Sequence, residues 1–238
     1  MTVRFRDLVA AERMKITTLP ATWIALAVAL AGHTLLGFAA GTDIVRVAGT
    51  AGPSPIGQTG TLMLAPAYAL AAVAVLAAGG EHRAGQLRVT LAAVPCRDRL
   101  FAAKLATTAA FCLLASIPAA LPGHLLRHAA AWPVGEWTGR FGASVAVQVL
   151  LGLVGFGFAV VASSVTVPMA VLVVLAVLGS PLLRSALPDV VRFLPHEAAS
   201  SLAGMSPALG PVAGLAVLAG WAVVSVAVAW RVFVRRDG

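Results

Sequence analysis

The sequence predicts an all-α integral membrane protein with six membrane-spanning helices, and three observations carry that prediction. Of 238 residues, 60% are apolar and 11% charged, where soluble domains carry about 25% charged residues; the mean hydropathy is +0.94. Six segments contain no Asp, Glu, Lys or Arg: 21–40, 60–79, 105–122, 141–162, 167–183 and 212–230. Each approaches the ~20 residues that cross a ~30 Å hydrocarbon core as a helix. The runs are continuously apolar rather than alternating with period two, which favours helices that satisfy their own backbone over a barrel.

Lysines and arginines orient the spans. With the N-terminus in the cytosol, Arg4, Arg6, Arg13, Lys15, Arg83, Arg88, Arg97, Arg99, Lys104, Arg231, Arg235 and Arg236 fall inside, and Arg46, Arg127, Arg140, Arg184 and Arg192 fall outside. The excess inside predicts six spans with both termini cytosolic. The net charge of +8 is then a topology signal and an attraction to anionic lipid, not a sign of nucleic-acid binding, because no basic patch carries interleaved stacking aromatics. Arginine-rich, lysine-poor composition with abundant Ala, Val and Gly suggests a GC-rich bacterial genome, and hence the bacterial cytoplasmic membrane. Cys96 falls in the reducing cytosol and Cys112 within the third span, so no structural disulfide is expected.

Residues 2–19 precede the first span and predict a helix lying in the interface. On a helical wheel Phe5, Leu8, Val9 and Ile16 share one face, while Arg6, Asp7 and Arg13 lie off it. Glu12 breaks the stripe, and a carboxylate there needs a partner. It either reaches water or Lys15, or pairs with an arginine of the 81–104 connector. Pro20 ends this helix and turns the chain into the membrane. The first apolar run is too long, and its polar leader too extended, for a cleaved signal peptide.

The 41–59 loop is rich in Gly, Pro, Ser and Thr and predicts irregular structure. Trp132 and Trp137 suit the aromatic belt at the membrane surface. His124 and His128 stand at helical spacing with no Cys or carboxylate beside them, so they read as interfacial histidines rather than metal ligands. Ser163–Thr166 is short enough to demand a tight hairpin between spans four and five. The 184–210 stretch, with Pro188, Pro195 and Pro207, is too polar to span and too apolar for a loop; it predicts short helices dipping into the outer leaflet. Gly152, Gly155 and Gly157, and the pair Gly210 and Gly214, mark close helix contacts. Pro118 and Pro122 are expected to kink or end the third span.

No P-loop, GxSxG, HExxH or CxxC motif is present, and no span contains Asp or Glu. Nucleotide binding through a P-loop, zinc hydrolysis and carboxylate-relayed transport are all disfavoured. Ser116, Ser163 and Ser164 read as helix serines bonded back to their own backbone. The charged connector 81–104 therefore carries the functional interest. Leu87, Leu91 and Val94 recur at i, i+4 and i+7, an apolar stripe on a short helix with Arg88 and Thr90 off it. Pro95 stops that helix and opens the next, which carries Arg97, Arg99 and Lys104 into the third span.

The interfacial helix with Glu12 and Lys15, the Thr22–Trp23 opening of the first span, and Glu81 through LRVTLAAVP to the basic AAKL segment together resemble the membrane permease of actinobacterial type-2 ABC exporters. The topological similarity covers nearly the whole chain. The resemblance implies that residues 2–19 form an elbow helix and 80–104 a cytosolic coupling loop, with 184–210 re-entrant. It implies an ATPase-coupling interface of Glu81, Arg83, Leu87, Arg88, Leu91, Val94, Arg97 and Arg99, with Glu12 and Lys15 on the elbow holding it rigid. The partners implied are two copies of an ATP-binding subunit, which hold ATP and magnesium, a second permease chain, the same or related, and membrane lipid. This chain would carry no cofactor or metal and no enzymatic activity. The apolar, uncharged path walls favour a hydrophobic or amphipathic cargo such as a drug, an antibiotic, a peptide or a lipid. The alternative is a non-transporting accessory or sensor subunit docking a cytosolic regulatory partner.

Overall fold

The structure is a computed structural model that describes residues 4–41, 62–81, 89–90, 94, 96–128, 134–179, 183 and 187–235. Every regular element among them is helical: α1 (Phe5–Thr18), α2 (Pro20–Gly41), α3 (Ala65–Gly79), α4 (Arg97–His128), α5 (Val134–Ala162), α6 (Thr166–Val174, prolonged by the π-helical turn Leu175–Gly179), α7 (Pro188–Val191), α8 (Pro195–Leu202) and α9 (Pro211–Arg235). Four stretches are long and apolar enough to cross a membrane: Pro20–Ala40, Arg97–Arg127, Gly135–Ala162 and Pro211–Arg235. Where the second and fifth spans are expected stand two shorter apolar helices, Ala65–Gly79 and Thr166–Val177. The 15 residues of α3 rise only ~22 Å at 1.5 Å each.

The break between α1 and α2 follows from Pro20. Leu19 is extended, with φ −76° and ψ 118°, because the proline ring disfavours helical geometry in the residue before it. Pro20 itself opens α2, where its missing N–H costs nothing. Trp23 Nε1 then donates to the Thr17 carbonyl at 2.8 Å, fastening the turn.

Helix α4 starts at Arg97 and carries Arg97, Arg99 and Lys104 into the apolar stretch as expected; it differs at its far end, where it does not stop at Pro118 or Pro122 but runs on to His128. Prolines inside a span are tolerated where neighbouring helices and hydroxyls re-satisfy the backbone. The Ser116 hydroxyl donates to the Leu113 carbonyl at 2.9 Å in this stretch. The hairpin at 163–166 is as tight as its length requires. Ser163 takes a left-handed φ of 50°, and the Ser164 hydroxyl accepts the Thr166 amide at 3.2 Å, so it caps α6 rather than bonding back along α5.

Helix α3 sits at the centre of the bundle, packed against α2, α4 and α5. Alanine dominates its sequence, and its buried residues include Ala67, Leu70, Ala71, Val73, Ala74 and Val75. Small side chains let helix backbones approach, which is what drives association where lipid removes the hydrophobic incentive. Large apolar side chains point outward from the rim instead: Trp23, Ile24, Leu35 and Phe38 on α2 and Val223, Val224 and Trp230 on α9. Helix α8 is buried along its whole length, tied by Tyr68 Oη and His196 Nδ1 at 2.9 Å. The neighbouring Phe193 carbonyl accepts from Trp221 Nε1 at 2.8 Å.

Two glycine contacts set the helix spacing. A Cβ on Gly157 would stand 2.6 Å from Ser225 Cβ, so α5 and α9 touch through their backbones there. Gly37 of α2 and Gly123 of α4 lie so close that a Cβ on either would overlap the other helix's main chain. Of the expected Gly210 and Gly214 pair only Gly214 is in close contact, 2.8 Å from the Ala198 carbonyl to a Cβ built there. Gly123→Ala should therefore lower the thermal unfolding midpoint in detergent, at a cost of about 1–3 kcal/mol for overpacking. Gly139→Ala, at a helical position with open space around it, should leave the midpoint unchanged or raise it by up to about 1 kcal/mol of helix propensity.

Candidate functional site

The chain has two lysines, Lys15 and Lys104, and both lie in one ion network with Glu12 and Glu81. Lys15 is on the face of α1 that turns toward the bundle, one helical turn after Glu12. Glu81 follows the C-terminal end of α3, and Lys104 projects from the second turn of α4. Lys104 Nζ donates to Glu12 Oε2 at 2.7 Å and lies 3.1 Å from Glu81 Oε1. Lys15 Nζ donates to Glu12 Oε1 at 2.7 Å and also to Glu81 Oε1. The Ala77 carbonyl, 3.5 Å from Lys104 Nζ, closes the site from below.

Burial makes this arrangement consequential. Lys104 is 2% exposed, Glu12 3% and Glu81 6%, in a layer where an unpaired charge costs several kcal/mol. Two carboxylates and two ammoniums cancel, so the group is tolerated as a unit and not piecewise. Leu8 and Ile16, buried one turn either side of Glu12, press α1 onto the bundle and exclude water from the pairs. Glu81 Oε2 is buried without a hydrogen-bond partner among the described residues.

Two sequence expectations change here. Glu12 does pair across to the connector, but its partner is Lys104 and not an arginine; it also takes Lys15. The Lys104 ammonium serves three acceptors from one point, Glu12, Glu81 and the Ala77 carbonyl. Glu81, expected on the outward coupling interface, turns inward. Phe5, on the apolar stripe of α1, is exposed on the protein surface.

The remaining interface residues divide. Arg83, Leu87, Arg88 and Leu91 lie outside the described residues. Val94 packs against the main core, and its amide donates to the Thr90 carbonyl at 2.9 Å. Arg97 donates to the Val234 carbonyl at 3.3 Å, while its neighbour Asp98 accepts from Trp230 Nε1 at 2.8 Å. These bonds tie the start of α4 to the end of α9. Arg99 is exposed. Sequence reasoning missed Lys104 as a site residue and Val89 as the exposed apolar side chain of the connector, at 73%. Lys104 was detectable as one of only two lysines in an arginine-rich chain.

Each charge is tuned by its neighbours. Burial works against the charged form of Lys15, but hydrogen bonds and attraction from Glu12 and Glu81 outweigh it and raise its pKa above 10.5. Burial likewise pushes the Glu81 carboxyl up, and Lys104 and Lys15 together overcome this and hold it below 4.5. A depressed carboxyl contributes stability above its unfolded pKa and loses it as pH falls through the folded value; a raised lysine contributes below its unfolded pKa and loses it as pH rises through the folded value. Thermal stability should therefore be flat between the unfolded values 4.5 and 10.5 as far as these groups are concerned, dropping at more acid pH through Glu81 and at more alkaline pH through Lys15. Glu81→Gln should remove the acid limb in a melting series across pH.

Lys104→Met should cost about 3–5 kcal/mol by leaving two buried carboxylates with one half-exposed ammonium. Adding Glu12→Gln leaves Lys15 facing Glu81 alone and should recover a large part of that loss, readable as a denaturation double-mutant cycle. No protein-family model matches the chain, and no curated protein matches it.

Proposed function

We propose that this chain is the membrane-spanning permease subunit of an ATP-driven exporter of a hydrophobic or amphipathic compound, resident in a bacterial cytoplasmic membrane with both termini cytosolic. In this reading α2, α3, α4, α5, α6 and α9 make six crossings, with α3 and α6 as short spans completed at their ends. The observation that carries the reading is the ion network. It joins the surface helix α1, the end of α3 where the connector begins, and the first turns of α4 into one body, so a push on the connector moves three helices together.

A transmission element has to resist shear without being held by apolar packing alone. Four alternating charges in a dry layer resist displacement from their register, because sliding any helix by one turn separates pairs whose attraction is strong at low dielectric. The exposed Val89 and Arg99 supply an apolar anchor with a charged rim, the anatomy of a docking patch. Two such chains would face each other across a substrate path. ATP and magnesium would be held by two copies of a separate ATPase subunit beneath them.

Purification from the native membrane tests this. An ATPase subunit should co-purify with the chain, and Leu91→Arg on the connector should abolish both its association and drug-stimulated ATP hydrolysis. Glu81→Gln should preserve association and uncouple transport from hydrolysis in vesicles. Co-purification with a partner lacking ATPase activity, and unaltered by Leu91→Arg, would make the chain an accessory subunit instead.

A further inference from the structure

At the opposite end of the bundle from the ion network, α2, α4 and α5 enclose a cavity of ≈ 80 Å³ with a polar lining. Ala67 of α3 borders it, and Ala67 to Glu81 is about 21 Å along a helix axis, so the two polar sites lie near opposite faces of the hydrocarbon layer. Helix α4 presents Gly123 and Arg127 to the cavity, α5 presents Gln148, and α2 presents His33. The close approach of Gly37 and Gly123 draws α2 and α4 together at its wall.

Its polar groups are unbalanced. Gln148 is 0% exposed, and its side chain faces the His33 ring across this space, yet neither Gln148 Oε1 nor His33 Nε2 makes a hydrogen bond of ordinary geometry among the described residues. Leaving such buried groups without a well-formed hydrogen bond is unfavourable. Arg127 lines the same space beside Arg140, and no Asp or Glu is among the lining residues. An arginine among membrane helices is costly without an anion to meet it.

We propose that this cavity binds a phosphate ester carrying a neighbouring hydroxyl or ammonium group, the chemistry of a phospholipid head group or of a free phosphate ester. The guanidinium of Arg127 takes the phosphate oxygens through its paired N–H groups. The unpaired Gln148 Oε1 accepts the hydroxyl or ammonium proton, and His33 Nε2 supplies a further polar contact. Size sets the limit on the ligand: drug-sized molecules need roughly 300–1,000 Å³, so this space admits a head group while any tails lie outside it. The site is formed by this chain alone and does not depend on an ATPase partner.

Native mass spectrometry of the full-length protein in detergent, with dihexanoyl-phosphatidylglycerol, sn-glycerol 3-phosphate and phosphate-free dihexanoylglycerol as probes, tests the site. At least one of the phosphate-bearing probes should bind and dihexanoylglycerol should not. Arg127→Gln should weaken binding by about tenfold or more, the worth of a charged hydrogen bond, and Arg127→Lys by less. Gln148→Leu, which keeps the Arg127 charge and tests the acceptor contact separately, should weaken it several-fold. Binding of the tailed probe alone assigns the site to membrane lipid; equal binding of glycerol phosphate assigns it to a soluble ester. Equal binding of dihexanoylglycerol, no binding of either phosphate probe, or unchanged binding in both Arg127→Gln and Gln148→Leu overturns the proposal.

Discussion

Lys104 is the residue on which the architecture at one end of this protein depends. A lysine 2% exposed in a helix of spanning length is tolerated only if carboxylates reach it, and here they come from two different elements, Glu12 of α1 and Glu81 beyond α3. That requirement places α1 against the bundle instead of leaving it to drift in the headgroup layer. It also fixes where α3 must end, because Glu81 has to arrive at the height of the second turn of α4. The second lysine, Lys15, is the half-exposed member that brings the sum of charges to zero. Desolvation of four ions is expensive enough that such a group adds specificity of register more readily than net stability.

Helix α4 bears charged groups at both of its ends and none between. From Lys104 to Arg127 is 23 residues, about 34 Å of helix, close to the thickness of a hydrocarbon core. The charged network lies near the first end and the Arg127 cavity near the other. The middle is packed through alanine, glycine and cysteine against α3 and α5, where Gly152 meets Cys112 and Ala74. Charge along α4 is thus kept to its two ends, and backbone proximity holds the stretch between. The fit is physical: lipid offers no hydrophobic gain for helix association, so close packing of small residues has to supply it.

Much of the helical inventory was legible because it rests on local rules. The hydropathy of residues 21–40, 141–162 and 212–230 marks α2, α5 and α9, since a continuous apolar run of that length has few other stable forms in a bilayer. Pro20 announces the break after α1 through sterics confined to one peptide, and the shortness of 163–166 demands a turn as tight as Ser163 adopts. Glu12 stood out as a carboxylate within an apolar stripe. What was not legible is the identity of its partner, since pairing at a separation of 92 residues depends on how α4 is rotated. The continuation of α4 through Pro118 and Pro122 was likewise hidden, because a proline read locally marks an end as readily as a tolerated interior position. Val94 belonged to a regular apolar stripe, yet periodicity names a face without saying what that face meets; in the fold it meets the core.

The sequence by itself determined that the chain is helical, apolar enough for a membrane and punctuated at Pro20 and Ser163, because length, hydropathy and backbone sterics act within a few residues of where they are written. Only the tertiary structure decided that both lysines and two glutamates share one ion network, that Gly37 meets Gly123, and that Gln148 and Arg127 face a common cavity. Those outcomes depend on the rotation and height of one helix against another, which arise from close packing and charge balance summed over the whole bundle and are encoded in no single segment.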